Sequence, residues 1–512
     1  MKFMALFLIS LMAFFVFFMP SDHDARNLYF KLQKVEENDD DVGEEELFPA
    51  RGLFDEKSCL SRYESLWYRR RRGLKRRTPS PDLISKLRSY EARHKRCSPY
   101  TDSYNKTVDY LVQNSSTFSC KYVVWISMNG LGNQMLSMAS AFLYALLTDR
   151  VLLVDRGVDI PDLFCEPFPE ASWFLPSDFP FTSNHFNSRS PQSYGNLLRN
   201  KRNTNTNITD ESYIYLNLAH GYDKYDKRVF CDADQTYLQT IPWLVIKSDF
   251  YFVPALFLMP SFQQQLHQLF PEKDTVFHLL SRYLFHPTNS VWGLVTRYYQ
   301  AYLSKAHVIT GIQLRIFRIK PLLEQILSCT MRENDVLPKI KDKDKDKDNN
   351  KSTSNLKNNT TVAVLITSLS SGYYDKIREM YLENPTAAGE VVGVFQPSHE
   401  EFQQTGKHSH NRKALAEIYL LSLTDRLVTS GWSTFGYVAQ GIGGLQPWIL
   451  YRPENPTAPD PPCRRAMSME PCFQGPRSYD CNSRRGGMDK DVRHCEDMSR
   501  GLKLVQHHTH QF

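Results

Sequence analysis

No strong charge of either sign marks the sequence. Its 62 basic and 56 acidic residues leave a formal charge of +6 over 512 residues, too little to force a nucleic-acid partner. An aromatic-basic RNA motif is missing, as is the G-x-G-x-x-G fingerprint of dinucleotide-binding enzymes. Cys463, Cys472, Cys481 and Cys495 match no zinc spacing. The apolar N-terminus is not followed by a small-x-small cleavage site, which argues against a removed leader peptide. The charge that exists is local, with acids near Glu36 to Glu46 and bases at Arg69–Arg72 and Lys75–Arg77. The basic block reads as a solvated surface segment, the alternative being contact with phosphate.

What is present is a chain with 41% hydrophobic and 13% aromatic residues, enough for two or three compact domains. Phe3 to Met19 is apolar except for Ser10, about the shortest length that spans a hydrocarbon core at ~1.5 Å per residue. It is expected to be an uncleaved anchor within residues 1–20, with the bulk of the chain lumenal. Ten cysteines and Asn-x-Ser/Thr sequons at Asn105, Asn114, Asn207, Asn350, Asn358 and Asn359 fit the same secretory compartment. Cys463, Cys472, Cys481 and Cys495 crowd a tail, 460–505, that disulfides are expected to staple.

Residues 21–57 are polar and acidic and read as a flexible stem, with folded sequence resuming at about residue 58. Asn200 to Thr209 reads as a polar loop. Residues 339–361, containing "KDKDKDKDNN", read as a disordered insertion.

Strand and helix patterns alternate in two regions. Tyr122–Ile126, Gln134–Thr148 and Val151–Val154 make a βαβ unit. A second series runs through "VAVLITS", a helix near Tyr373–Glu383, "EVVGVF", a helix over Asn411–Leu423, "DRLVTS" and "QPWILY". The alternation predicts α/β architecture with parallel sheets, placing a ligand cleft at their carboxyl ends.

Three elements point at that cleft. Gly130 and Gly132 permit a tight turn before a helix that Asn133 helps to start; exposed amides there suit an anion, and an ordinary strand-to-helix turn explains them equally. Arg315 closes the strand of "TGIQLRIF", where its planar fork suits a phosphate; a structural ion pair is the alternative. Ser433, Thr434 and Phe435 open a helix whose amides and hydroxyls suit a diphosphate; a plain N-cap is the alternative.

At "GLGNQMLSMASAFLYALLTDRVLLVDRG", "GIQLRIF" and "HNRKALAEIYLLSLTDRLVTSGWSTFGYVAQGIGGLQPWILYRPEN" the chain resembles the plant xyloglucan α-1,2-fucosyltransferases of the Golgi, from about Cys59 to Val505. The resemblance implies a GT-B fold: two Rossmann-like domains facing across a cleft, 58–305 on the acceptor side and 306–505 for the donor. It also implies GDP-fucose as donor, inversion at the fucose carbon, and a galactosyl residue of a polysaccharide such as xyloglucan, or of a glycoprotein such as an arabinogalactan protein, as acceptor. A single-pass type II Golgi membrane protein follows from it; a homodimer is left open.

By the same resemblance Asn133 holds the diphosphate or positions the acceptor, and His410 and Asn411 lie near the nucleotide, although a helix start explains those two as well. Single displacement needs no covalent nucleophile, only stabilisation of departing GDP. Arg315 and the Ser433–Phe435 amides replace a metal in this reading, so no cofactor is expected, and Asp232-Ala-Asp234 is structural. Asp223, Asp226 and Asp234 are candidates for a proton acceptor, water being the other. Two departures stand out: Gln134 where the family usually has Arg, and a shortened segment after Phe317. They support the rival reading, a catalytically silent lumenal glycan-binding protein of the same fold.

Overall fold

Runs such as "YVVWI" and "VLLV" are apolar on both faces, which suits strands covered on both sides. In the computed structural model they form β1 (Tyr122–Ile126) and β2 (Val151–Val154), buried throughout. The structure describes residues 45–49, 52–113, 118–181, 185–204, 211–315, 323–341, 360–404, 406–452, 457–475, 481 and 490–506.

With β3 (Tyr213–Leu218) and β4 (Trp243–Ser248) they make a parallel sheet of order β2-β1-β4-β3. The second sheet comprises β5 (Val308–Leu314), β6 (Thr361–Ser368), β7 (Val391–Phe395), β8 (Arg426–Ser430), β9 (Trp448–Leu450) and β10 (Cys463–Arg465). Its order is β10-β9-β8-β5-β6-β7, parallel except for β10 against β9. A hairpin of β11 (Val492–His494) and β12 (Leu502–Leu504) completes the strands. The α/β expectation is met, and each strand read from the sequence is present.

Among the helices, α1 spans Ser61–Arg71, α2 Pro81–Arg96, α3 Leu131–Leu147, α4 Gly372–Glu383, α5 His408–Ser422 and α6 Thr434–Gly443. In α3 Asn133 and Gln134 alone escape full burial over seventeen residues. An all-round apolar helix belongs inside a protein, and α3 packs in one hydrophobic core with β1, β2, β5, β6, α5 and α6. Leu47–Phe512 forms one compact unit; of Met1–Glu46 only Glu45 and Glu46 fall within the described residues.

Several expectations need correction. The folded region begins before residue 58: Leu47 is buried in the core and its carbonyl accepts from Arg88 Nη2 at 2.8 Å. The basic block is not simply solvated. Arg69 is buried, and its Nη1 donates to the carbonyls of Ile442 and Gly443 at 3.2 and 3.0 Å, a cation placed on the C-terminus of α6. Arg72 pairs with Asp425. Asn200–Thr204 ends a helix, Tyr194–Thr204, rather than forming loop.

The insertion is also narrower than 339–361. Lys339 pairs with Asp335, Ile340 bridges to Thr386, and Thr361 begins β6; 342–359 lie outside the described residues. All ten cysteines are paired, as Cys59–Cys165, Cys97–Cys120, Cys231–Cys481, Cys329–Cys463 and Cys472–Cys495. Only the last closes within the tail; two others tie the tail to the body.

The Asn105 sequon sits in a helix, Asp102–Gln113, with Thr107 buried. The asparagines of the other sequons, the Phe3–Met19 run and residues 316–322 lie outside the described residues, and Leu323–Leu327 beyond them is helical. Among the described residues no helix is long and apolar enough to cross a membrane.

Candidate active site

The carboxyl ends of β1, β5, β6 and β8 open on one cleft of about 410 Å³, lined among others by Asn129–Asn133, Gln313–Arg315, Thr367–Leu369 and Trp432–Phe435. Two helix N-termini meet there. Gly130 precedes α3 as its N-cap, and Asn129 before it takes a left-handed φ of 61°, a conformation that Asn tolerates better than most residues. Its Nδ2 donates to Asp249 Oδ2 at 2.6 Å, just past the end of β4. The Asp249 carboxylate also accepts from the His220 amide at 2.9 Å, and burial raises its pKa.

Gly132 is what lets the helices touch. A Cβ on it would lie 2.9 Å from both the carbonyl carbon and Oγ1 of Thr434, and 3.0 Å from the Phe435 amide nitrogen. Asn133 bridges the contact: Thr434 Oγ1 donates to its Oδ1 at 3.0 Å, and its Nδ2 donates to the Asp249 carbonyl at 3.0 Å.

Ser433 caps α6, its Oγ accepting from the Gly436 amide at 3.4 Å. Both hydroxyls expected to face a ligand are thus engaged within the protein, and the N-cap reading holds for Ser433. The first-turn amides have no carbonyl of their own helix to bond, so Thr434 and Phe435 present the positive end of α6 to the cleft.

Arg315 follows β5. Its amide donates to Ser430 Oγ and its Nη2 to Gln403 Oε1, both at 3.0 Å. Burial lowers its pKa, and it forms no ion pair with a carboxylate among the described residues. The structural ion pair weighed above is not found there. Gln313 Oε1 and Thr367 Oγ1, buried beside it in the wall of the cleft, also lack a partner among the described residues. Buried polar atoms rarely stay unpaired, so Gln313 and Thr367 belong to a polar wall of the cleft, beside which Arg315 supplies the cationic group.

Helix α5 lines the cleft with His410, Asn411, Lys413, Ala414 and Glu417. His410 and Asn411 are both in its first turns and on the cleft. His410 Nδ1 lies 3.1 Å from Glu400 Oε2, Lys413 pairs with the same carboxylate, and Asn411 Nδ2 donates to Asp159 Oδ2 at 2.6 Å. Lys413 and then His410, bonded to it, hold the Glu400 pKa below its usual value. Glu417 is buried with Ser398 Oγ donating to it, and burial pushes its pKa up to about 7.

Trp432 also lines the cleft, with a left-handed φ of 63°. Its amide donates to Asp497 Oδ2 at 2.7 Å, its indole N–H donates to the Asp497 carbonyl, and Tyr437 Oη donates to the same carboxylate at 2.5 Å.

The nine residues read from the sequence as contacts of the diphosphate, nucleotide or acceptor all line this cleft: Gly130, Gly132, Asn133, Arg315, His410, Asn411, Ser433, Thr434 and Phe435. The candidates for a proton acceptor do not. Asp223 is held by Arg199, Asp226 accepts from the Asp223 amide at 3.1 Å, and Asp234 accepts from Tyr194 Oη at 2.5 Å and pairs with Arg228. Asp232 accepts from Ser261 Oγ at 2.6 Å. Gln134 Nε2 folds back onto the Asn129 carbonyl at 2.8 Å and does not line the cleft. Sequence reasoning missed Asp249, Glu417 and Asp497. The spacing 410, 413, 414, 417 marks one helix face and signals Glu417; Asp249 follows a strand, as Arg315 does.

Such a cleft, bringing a guanidinium and helix amides to the carboxyl ends of parallel strands, defines an α/β protein that grips a phosphorylated ligand. The chain belongs to the xyloglucan fucosyltransferase family, whose description it matches over residues 42–482. It is 56% identical over 535 aligned residues to a galactoside 2-alpha-L-fucosyltransferase of Pisum sativum, covering 99% of this chain and 92% of that one. It is also 56% identical over 469 residues to the protein of the same name from Arabidopsis thaliana, covering 88% and 81%. Among solved structures, an Arabidopsis thaliana FUT1 mutant in complex with GDP is similar with a TM-score of 0.81 at 53% identity, covering 90% of this chain and 99% of that one.

Proposed function

We propose that the protein is an inverting fucosyltransferase that moves L-fucose from GDP-fucose to the 2-hydroxyl of a galactosyl residue in a wall polysaccharide or glycoprotein glycan. The observation that carries this reading is the meeting of Arg315 with the N-termini of α3 and α6 in one cleft. Relatives sharing 56% of their residues bear the name galactoside 2-alpha-L-fucosyltransferase, which favours transfer over silent glycan binding. In this reading the two sheets act as the halves of a GT-B enzyme. The first carries the acceptor side and the second the donor.

The galactosyl 2-oxygen attacks the fucose carbon and gives its proton to water, while the bond from that carbon to the β-phosphate oxygen breaks and departing GDP gathers the negative charge. Arg315 and the Thr434 and Phe435 amides meet that charge with fixed donors, so no solvent has to reorganise. A metal is not required for this. The matching test is transfer by the purified chain across a panel of galactosyl glycans with and without EDTA. Equal rates in EDTA are expected; a strict need for a divalent ion, or no transfer and no GDP-fucose hydrolysis with any glycan, overturns the reading.

Glu417 supplies the base contact. Guanine presents two adjacent donors, N1–H and the 2-amino group, which an ionised carboxyl accepts together. Because burial pushes this carboxyl up to about 7, it is protonated below that pH and loses acceptor capacity. GDP affinity is expected to fall as pH drops through about 7. Glu417→Gln is expected to bind GDP about tenfold or more weakly and without that pH dependence. Calorimetric titration one unit either side of 7 checks both.

The apolar run at Phe3–Met19 is proposed as a signal anchor in the Golgi membrane, with the catalytic unit lumenal. All ten cysteines being paired supports an oxidising compartment.

A further inference from the structure

Trp432 combines three features that a helix cap does not need. Its backbone is left-handed at φ 63°, a conformation that costs a bulky residue strain and persists only where the surroundings enforce it. Asp497 enforces it, taking the backbone N–H at 2.7 Å and the indole N–H through its carbonyl. Yet the residue so firmly held is 37% exposed and lines the cleft. Arg452 lies over one face of the ring, 4.8 Å from its centroid, and Arg452 does not itself line the cleft. With Arg452 over one face, the ring has only its other face left for a ligand to stack on.

Position decides the occupant. Trp432 immediately precedes Ser433, the cap of α6, whose amides receive the β-phosphate in the reading above. The sugar is bonded to that phosphate, so the ring nearest the indole is the donor's own. Its C–H-rich face and 6-methyl group are apolar, and an aromatic face attracts such polarised C–H groups.

We infer that Trp432 is the platform on which the fucosyl ring of the donor stacks, and that it selects the methyl at C6. This rests on GDP-fucose being the donor. Trp432→Gly suits the left-handed backbone without strain, so the start of α6 persists without the ring; Trp432→Phe keeps a ring without the indole N–H. Affinities of the full chain for GDP, GDP-fucose and GDP-L-galactose, whose sugar carries a hydroxymethyl in place of the methyl, are measured by calorimetry.

The intact protein is expected to prefer GDP-fucose to GDP-L-galactose by about tenfold. Trp432→Gly is expected to bring that ratio to about one while GDP affinity stays within about twofold, and Trp432→Phe to keep most of the preference. Equal losses for GDP and GDP-fucose would mark a purely structural role and overturn the inference. So would unchanged sugar-nucleotide affinities with a raised acceptor KM, which would make the ring an acceptor contact. Failure of the intact protein to bind GDP strikes the donor assignment itself, a different result from either.

Discussion

Arg315→Ala is expected to abolish measurable fucosyl transfer, a loss of about 10³-fold or more, while thermal stability changes little. Removing a single preorganised donor from a developing anion costs roughly 10²–10³ in rate, and the guanidinium offers a bidentate pair. Among the described residues its side chain is held by a bond to Gln403, and its amide, which donates to Ser430, survives the substitution. The fold therefore does not depend on it. Arg315→Lys keeps the charge but not the fork, and is expected to recover only a small part of the rate. Single-turnover rates with saturating GDP-fucose, read beside a melting curve, separate chemistry from folding. Full activity in either variant contradicts the proposed charge stabilisation.

Arg315 was legible because its signal is local: an arginine closing an apolar strand. The same holds for Gly130 and Gly132 between a strand and a helix, and for Ser433 and Thr434 at the opening of another. Strand and helix periods placed these segments correctly, since burial on both faces of a parallel sheet writes itself into runs such as Tyr122–Ile126.

What stayed hidden depends on partners far along the chain. Arg69 looked like part of a solvated basic run because its acceptors, the carbonyls of Ile442 and Gly443, lie more than 370 positions away. Asp249 and Asp497 look like ordinary turn acids until Asn129 and Trp432 are seen bent left-handed against them. The cysteine tail looked self-contained because spacing says nothing of Cys231 or Cys329. Conversely, "HGYDKYDKRVFCDADQ" drew notice for its density of acids, and Asp223, Asp226 and Asp234 turn out to be satisfied by Arg199, backbone amides, Tyr194 and Arg228.

The closest approach in the site yields the second large effect. Gly132→Ala adds one carbon to α3, and that carbon meets the Thr434 carbonyl carbon and the Phe435 nitrogen at 2.9 and 3.0 Å. These are main-chain atoms at the start of α6, so no side-chain rotation relieves the contact. Overpacking of this kind costs about 1–3 kcal/mol, and it forces α3 and α6 apart where their first turns converge. The Asn133–Thr434 bond at 3.0 Å is the first to lengthen. The Thr434 and Phe435 amides then shift relative to Arg315, which sits on a different strand and does not follow. Because a misplacement of about 1 Å in a positioned group costs about 10²-fold, transfer is expected to drop by at least that factor. GDP affinity is expected to weaken about tenfold and the melting temperature to fall by several degrees. Thr434→Ser tests the cause: it keeps the hydroxyl but not the methyl, so it leaves the main-chain clash in place and is not expected to rescue Gly132→Ala. Wild-type transfer by Gly132→Ala contradicts the claim that contact between the two helix ends sets the geometry of the site.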